Sequence, residues 1–244
     1  MDLLTNDSCV AAVNKPCGLA TIPGRGEKTS VFEELAALLG LPHTGTVDPR
    51  LRVVHRLDKD TSGVLLFAKT IEAQRLISHQ FQNNTTRKEY LAIVVGRPDA
   101  DQGTIDAALA PHPTSRDRML VSKHGRPALT EWKVEDAFRG YSLLRVFPRT
   151  GKTHQIRVHL KHIGLPLAVD ALYNPHGPPL LLSSFKRRYR PARDEDERPL
   201  IARLTLHAEK LSLTHPSGEP LALEAPMPKD FRAALNMLRK YARA

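Results

Sequence analysis

A carboxylate on a polar loop between apolar segments is the first candidate for chemistry in this chain. The stretch is Val53-Val54-His55-Arg56-Leu57-Asp58-Lys59-Asp60-Thr61-Ser62-Gly63, followed by the apolar run Val64-Leu65-Leu66-Phe67-Ala68. Thr61, Ser62 and Gly63 supply turn chemistry, and the apolar run reads as a strand. Asp58 is therefore expected on a loop leading into a sheet, where a rigid scaffold can hold a reacting group. A carboxylate so placed can act as nucleophile or as general base. The plainer reading is an ordinary turn in which Arg56 and Asp58 form a surface ion pair of small consequence.

A second polar constellation is Pro148-Arg149-Thr150-Gly151-Lys152-Thr153-His154-Gln155-Ile156-Arg157-Val158-His159-Leu160. Gly151-Lys152-Thr153 invites a phosphate-loop reading, but that pattern needs a glycine at position 146, where Val stands. His154, His159 and His162 lack the spacing and acidic neighbours of a metal site, so no metal is expected. A helix over about 153–163 would place Ile156, Leu160 and Ile163 on an apolar face, with Thr153, Arg157 and Lys161 beside it. One face can pack while the other meets an anion. Tyr90, in Arg87-Lys88-Glu89-Tyr90-Leu91-Ala92-Ile93-Val94-Val95-Gly96, reads on its own as a core aromatic whose hydroxyl reaches a partner.

These residues need elements to hold them. Residues 9–13 are small and apolar and run into Asn14-Lys15-Pro16-Cys17-Gly18-Leu19, where Pro and Gly turn the chain. Ser30-Val31-Phe32-Glu33 has the form of a capping box opening a helix that Gly40 ends. Residues 41–52 are expected as a loop. Thr70 can cap a helix whose apolar face uses Ala73, Leu76, Ile77 and Phe81. Arg87 to Gly96 predicts a buried strand, and residues 97–127 are turn-rich and uninformative. Strands at about 128–137 and 141–147 join at Arg139-Gly140. Strands at about 204–214 and 220–224 flank His215-Pro216-Ser217-Gly218, and Asp230 is expected to cap a helix carrying Phe231, Leu235, Leu238 and Tyr241. Within 174–199, Lys186, Arg187, Arg188, Arg190 and Arg193 precede Asp194-Glu195-Asp196-Glu197. This run reads as a solvated, mobile charged loop, with RNA-backbone contact as the competing reading.

At 244 residues the chain can bury one substantial core or two small ones. A hydrophobic content of 41% and a mean hydropathy of −0.33 fit a globular protein and exclude a disordered one. Thirty-six Lys and Arg against 26 Asp and Glu leave a net charge of +10, which favours a polyanionic partner. No apolar run approaches the roughly 20 residues of a spanning helix, and the N-terminus lacks a basic region followed by an apolar core. A cytoplasmic location without membrane association is the expectation. Cys9 and Cys17 form no framework of bridges and no second pair that would complete a zinc site, so both are expected reduced and without a role.

The loop at Asp58 resembles the His-Arg-Leu-Asp-x-x-Thr-Ser-Gly motif of the RluA family of pseudouridine synthases. Asn14-Lys15-Pro16-Cys17-Gly18-Leu19, Lys88-Glu89-Tyr90-Leu91-Ala92, Arg149 to Leu160, Leu206-His207-Ala208 and Ala225-Pro226-Met227-Pro228 are similar to further family elements in the family's order. Lys152 stands where arginine is usual, keeping the charge but losing the bidentate geometry. Leu167-Ala168-Val169-Asp170 replaces a usual Gly-Asp pair, and no basic module of the S4 type precedes residue 9. The catalytic domain itself is therefore expected to hold the RNA.

The resemblance implies an α+β pseudouridine synthase fold: a mixed, largely antiparallel sheet flanked by helices, with a central RNA-binding cleft. It implies one catalytic domain over residues 1–244, with a core of about 9–232. The implied activity isomerises uridine in ribosomal or transfer RNA to pseudouridine, without a cofactor and with base flipping. By the same resemblance, Asp58 is expected as the catalytic carboxylate. The resemblance further implies that Arg157 pairs with Asp58, that Arg56 assists extrusion of the base and that Tyr90 stacks on the base. His55, Thr61 and Lys15 bind substrate or brace the loop. Structured RNA is the expected partner, with no obligate protein partner and a monomeric state. Two rivals remain: a Mg²⁺-dependent phosphatase, because Asp58-Lys59-Asp60 resembles the haloacid-dehalogenase motif, and an RNA-binding protein that keeps the fold without activity.

Overall fold

The computed structural model describes residues 1–24, 29–41, 50–115, 117–186, 189 and 196–243. In chain order the strands are β1 (Asp2–Asn6), β2 (Val10–Lys15), β3 (Arg52–Val53), β4 (Ser62–Ala68), β5 (Arg87–Val95) and β6 (Gln102–Asp106), then β7 (Leu109–Pro111), β8 (Met119–Val121), β9 (Leu129–Phe138), β10 (Tyr141–Pro148), β11 (Leu206–Thr214) and β12 (Pro220–Glu224). The helices are α1 (Val31–Leu38), α2 (Ile71–Gln82), α3 (Gln155–His162) and α4 (Lys229–Tyr241). Contacts divide the chain into two compact units, Met1–Glu89 with His207–Pro226, and Tyr90–Leu206 with Met227–Ala244.

In the first unit the strands run in the order β1-β2-β4-β11, with β3 beside β4 and β12 beside β11. All of these pairs are antiparallel except β4 with β11, which is parallel. Strand β4 is buried along its whole length, because β2 and β11 flank it and both its faces are covered. That is why it reads as a continuous apolar run instead of an alternating one. Val10, Ala12, Val64, Leu66 and Ala68 pack against Ala73 and Ile77 of α2. Thr70 caps α2 as expected, its hydroxyl accepting from the Ala73 N–H at 3.0 Å. Leu76 differs from expectation: it is 38% exposed, at the margin of a stripe that only Ala73 and Ile77 bury. Ser30 caps α1, and Gly40, at φ 63°, lies just beyond the helix.

The second unit holds the antiparallel order β5-β10-β9-β6 and a separate β7–β8 hairpin. Its sheet is covered on both sides. Leu91, Ile93 and Leu143 pack with Phe231, Leu235 and Leu238 of α4, whereas Ala92, Val94, Leu144 and Val146 pack with Ile156 and Leu160 of α3. The period-two alternation of β5 thus serves two cores at once. Among the described residues, four α-helices beside mixed, mostly antiparallel sheet make an α+β protein, as the resemblance implied.

Some local expectations are corrected. Pro228, not Asp230, occupies the N-cap of α4. Asp230 lies in the first turn and takes Arg203 bidentately at 2.7 and 2.8 Å. Residues 97–127 carry β6, β7 and β8, short strands that the turn-rich composition concealed. The flanks of the expected 174–199 loop are packed: Leu180 and Phe185 are buried, and Glu197 accepts a hydrogen bond from the Ser183 N–H. Its charged centre, including Arg187, Arg188, Arg190 and Arg193, lies outside the described residues, as does most of the expected 41–52 loop.

Candidate active site

The segment carrying Asp58 leaves β3 at Val53 and rejoins the sheet at Ser62, the first residue of β4. A loop this polar needs outside partners for its backbone. Lys15 provides them from the end of β2: fully buried, its ammonium donates to the carbonyls of Pro16 (2.9 Å), Lys59 (2.7 Å) and Thr61 (2.8 Å). The Gly18 N–H also reaches the Lys59 carbonyl. Thr21, which sequence reasoning missed, clasps Leu57 from both sides. Its hydroxyl accepts from the Leu57 N–H and donates to the Leu57 carbonyl. The Thr61 N–H closes a turn onto the Asp58 carbonyl at 3.1 Å. The backbone on either side of Asp58 is thereby fixed, with the Asp58 side chain half-buried and Arg56 and Lys59 exposed.

His55 is part of this frame. Its Nε2 accepts the Leu66 N–H at 2.9 Å and its ring stacks on Phe81, with centroids 4.7 Å apart. Burial, aided by the charge of Lys88, pushes its pKa down to about 3, so the ring is neutral and can accept. Thr61 is buried, with its carbonyl engaged by Lys15. Ser62 faces His207 Nδ1 at 3.0 Å, and Nε2 of that imidazole reaches the Ala225 carbonyl at 3.2 Å. Gly63 has a steric reason to be glycine. At φ +121° its Cα lies so close to β11 that an added Cβ would stand 2.0 Å from the Ala208 carbonyl oxygen.

In the second unit Tyr90 pairs with Val146 across β5 and β10, half-buried against the core that includes Ala92, Val146 and Ile156. The Arg149-to-Leu160 motif is largely a hydrogen-bond frame. Gln155 accepts from the Thr150 hydroxyl and the Lys152 N–H, and donates to the Leu129 carbonyl and the Thr130 hydroxyl. Thr130 in turn meets His159 Nδ1, whose Nε2 reaches the Ala107 carbonyl. Burial holds the His159 pKa below its ordinary value, consistent with a neutral ring bridging two elements. His154, in the left-handed region at φ 54°, meets the Tyr173 hydroxyl at 2.8 Å.

Arg157 is 5% exposed, and two of its nitrogens are committed to Asp170: Nε to Oδ2 at 2.8 Å and Nη2 to Oδ1 at 2.7 Å. Asp170 also accepts from the Leu172 and Tyr173 N–H groups, and the Arg157 guanidinium lies 5.0 Å over the Tyr173 ring. The anion that this face of α3 meets within its unit is thus a carboxylate of the chain. Asp170 is the residue that the sequence flagged only as following a missing glycine. Its burial and bidentate geometry give it the work of orienting Arg157.

The structure therefore places His55, Arg56, Asp58 and Thr61 together on one braced segment of the first unit, and Tyr90 and Arg157 on the sheet and the helix of the second. A carboxylate on a braced loop, in a chain of net charge +10, fits a class of enzyme that handles anionic substrates. The family described as RNA pseudouridylate synthase matches residues 10–162, which include all six of these residues, and the chain belongs to that family. The ribosomal large subunit pseudouridine synthase D of Nitrosomonas europaea is 40% identical over 241 residues, covering 98% of this chain and 65% of that protein. The protein of the same name from Xanthomonas campestris pv. campestris is 37% identical, with 98% and 70% covered. Among solved structures, Human RNA Pseudouridylate Synthase Domain Containing 4 superimposes with a TM-score of 0.71 at 26% identity, covering 98% of this chain and 93% of that one. This chain thus spans about two thirds of the length of the two bacterial relatives.

Proposed function

We propose that this chain isomerises uridine to pseudouridine in structured RNA, with Asp58 as the reacting carboxylate. The reaction breaks N1–C1′, turns the base and joins C5 to C1′; C5 gives up its hydrogen and N1 gains one. It is redox-neutral and transfers no external group, so these residues work without a cofactor. The observation that carries the reading is the Lys15 clamp, which holds the backbone around Asp58 through three carbonyls in a chain of this family. Such fixing suits a group that must meet a reacting atom in one orientation. Arg56, exposed beside it, assists extrusion of the target base. Tyr90 stacks on that base, a contact typically worth about 1–3 kcal/mol. Arg157, oriented by Asp170, binds substrate, while His55 and Thr61 hold the loop on which it reacts. Ribosomal RNA is the first substrate to test, because the bacterial relatives carry that name, and transfer RNA is the second. Residues 1–244 work as one catalytic domain, a monomer in the cytoplasm.

The test is tritium release from RNA carrying 5-³H-uridine, with wild type and Asp58→Ala compared in EDTA on ribosomal and transfer RNA fragments. Release by wild type alone supports the proposal and names the RNA. No tritium release together with Mg²⁺-dependent phosphate release would favour the phosphatase, and RNA binding without either would favour the inactive binding protein.

A further inference from the structure

Two turns of the first unit bring three metal-ligating side chains together. Asp7 and Cys9 lie on the turn between β1 and β2, and His215 on the turn between β11 and β12. One ligand atom from each lies within 4.8 Å of the others. The Asp7 carboxylate is already oriented: Oδ1 accepts the Cys9 and Val10 N–H groups at 2.7 and 2.8 Å, leaving Oδ2 toward His215. The His215 turn is likewise fixed, since the Gln80 side chain takes both the N–H and the carbonyl of Thr214. Lys69, the nearby cation, is engaged by the Asp7 carbonyl and Asn6 Oδ1.

We propose that Asp7 Oδ2, Cys9 Sγ and His215 Nε2 bind one zinc ion, with water as the fourth ligand. The spacing of the three groups suits coordination. His215 Nε2 is screened from solvent and faces Asp7 Oδ2 at 3.3 Å. That separation is close to the edge of a zinc tetrahedron, because ligands at roughly 2.0–2.2 Å from the metal lie about 3.4 Å apart. One carboxylate oxygen, the thiol and one imidazole nitrogen lie within 4.8 Å of one another, a spacing that suits chelation. Nδ1 accepts the Ser217 N–H at 3.1 Å and lies 2.8 Å from Ser217 Oγ, so metal at Nε2 requires the Nδ1 proton to be taken up by Oγ. A thiolate, an imidazole and a carboxylate together select a borderline-soft divalent ion over Mg²⁺ or Ca²⁺.

The site is remote from Asp58. Val10 pairs with Ala68 and Lys15 with Gly63, so the Cys9 turn and the Asp58 loop stand at opposite ends of the seven-residue strand β4, about 20 Å apart. The role is to fasten the two turns, and activity in EDTA is expected to persist.

The test is titration of the full chain with Co²⁺ followed by displacement with Zn²⁺, using wild type, Cys9→Ser, Cys17→Ser, His215→Ala and Asp7→Asn. Asp7→Asn can keep the turn by retaining an acceptor at Oδ1. Wild type and Cys17→Ser should develop a near-ultraviolet thiolate-to-cobalt band saturating at one equivalent, and Zn²⁺ should abolish the band and raise the thermal midpoint. The band should be absent in Cys9→Ser and at least tenfold weaker in affinity in the other two variants. No band in wild type, or an equal band in Cys9→Ser, would overturn the proposal.

Discussion

At the scale of single residues, the molecule invests buried charge in holding its loop. The Lys15 ammonium is fully enclosed and its bonds run to backbone carbonyls. Lys15→Met would retain much of the stem and leave those carbonyls short of donors. Since bonds to charged groups count for about 1.5–3 kcal/mol and the lost desolvation cost offsets part of the sum, a net loss of about 2–4 kcal/mol is expected in urea unfolding, with tritium release falling in parallel. Asp170→Ala should cost about 3–5 kcal/mol, because it leaves the Arg157 charge buried without its bidentate partner. Replacing both residues with apolar ones should cost less than that single change, and a double-mutant cycle measures the difference. His55 predicts a pH dependence. Its folded pKa of about 3 lies below the ordinary 6.5, so between these values the unfolded chain takes up a proton that the folded chain refuses. Its contribution is complete above pH 6.5 and is lost as pH falls toward 3, by up to about 1.4 kcal/mol per pH unit. Unfolding measured at pH 7 and pH 5 should show a smaller decline for His55→Gln than for wild type.

At the scale of elements, the parallel contact between β4 and β11 depends on one missing methyl group. Gly63→Ala would drive a Cβ into the Ala208 backbone, and since backbone cannot swing aside as a flexible side chain can, the strands must separate. A cost of about 3 kcal/mol or more is expected, read as a lowered thermal midpoint or as loss of soluble protein, while Gly151→Ala, where an added Cβ meets nothing within 4 Å, should be nearly neutral. Elements of this kind were legible where a local signal was strong. The caps at Ser30 and Thr70, the β9–β10 hairpin at Gly140 and the apolar β4 all follow from neighbouring residues. Strands β6, β7 and β8 were not legible, being three to five residues long in a turn-rich stretch. Within the site, the motif residues were visible in the sequence, and Lys15 was among the residues expected to brace the loop, but the bonds that do the holding were not. Thr21 reaches Leu57 across 36 positions and Lys15 reaches Thr61 across 46, and outside the site Asp7 likewise meets His215 only through the fold. Spacing rules describe one helix or one strand, whereas these pairs are created by strand order and register. Asp170 stands between the cases: the sequence flagged the position as irregular, and only the bidentate bond to Arg157 says what it does.

At the scale of the whole molecule, a net charge of +10 separates holding RNA from acting on it. Phosphate contacts release counterions, so each one used adds about 0.7–0.9 to the slope of log affinity against log salt. Asp58 offers a carboxylate and cannot bind phosphate, and in the proposed mechanism its work begins after the base is extruded. Asp58→Ala should therefore bind RNA with the affinity and salt slope of wild type while releasing no tritium. Arg56→Ala should release tritium slowly, yet lose little of the slope if its task is extrusion instead of backbone contact. Filter-binding titrations at several salt concentrations, run beside the release assay on the same RNA, make both comparisons. A much weaker affinity for Asp58→Ala at every salt concentration would mean that the carboxylate helps to build the RNA-bound state, and its assignment to the chemical step alone would fall.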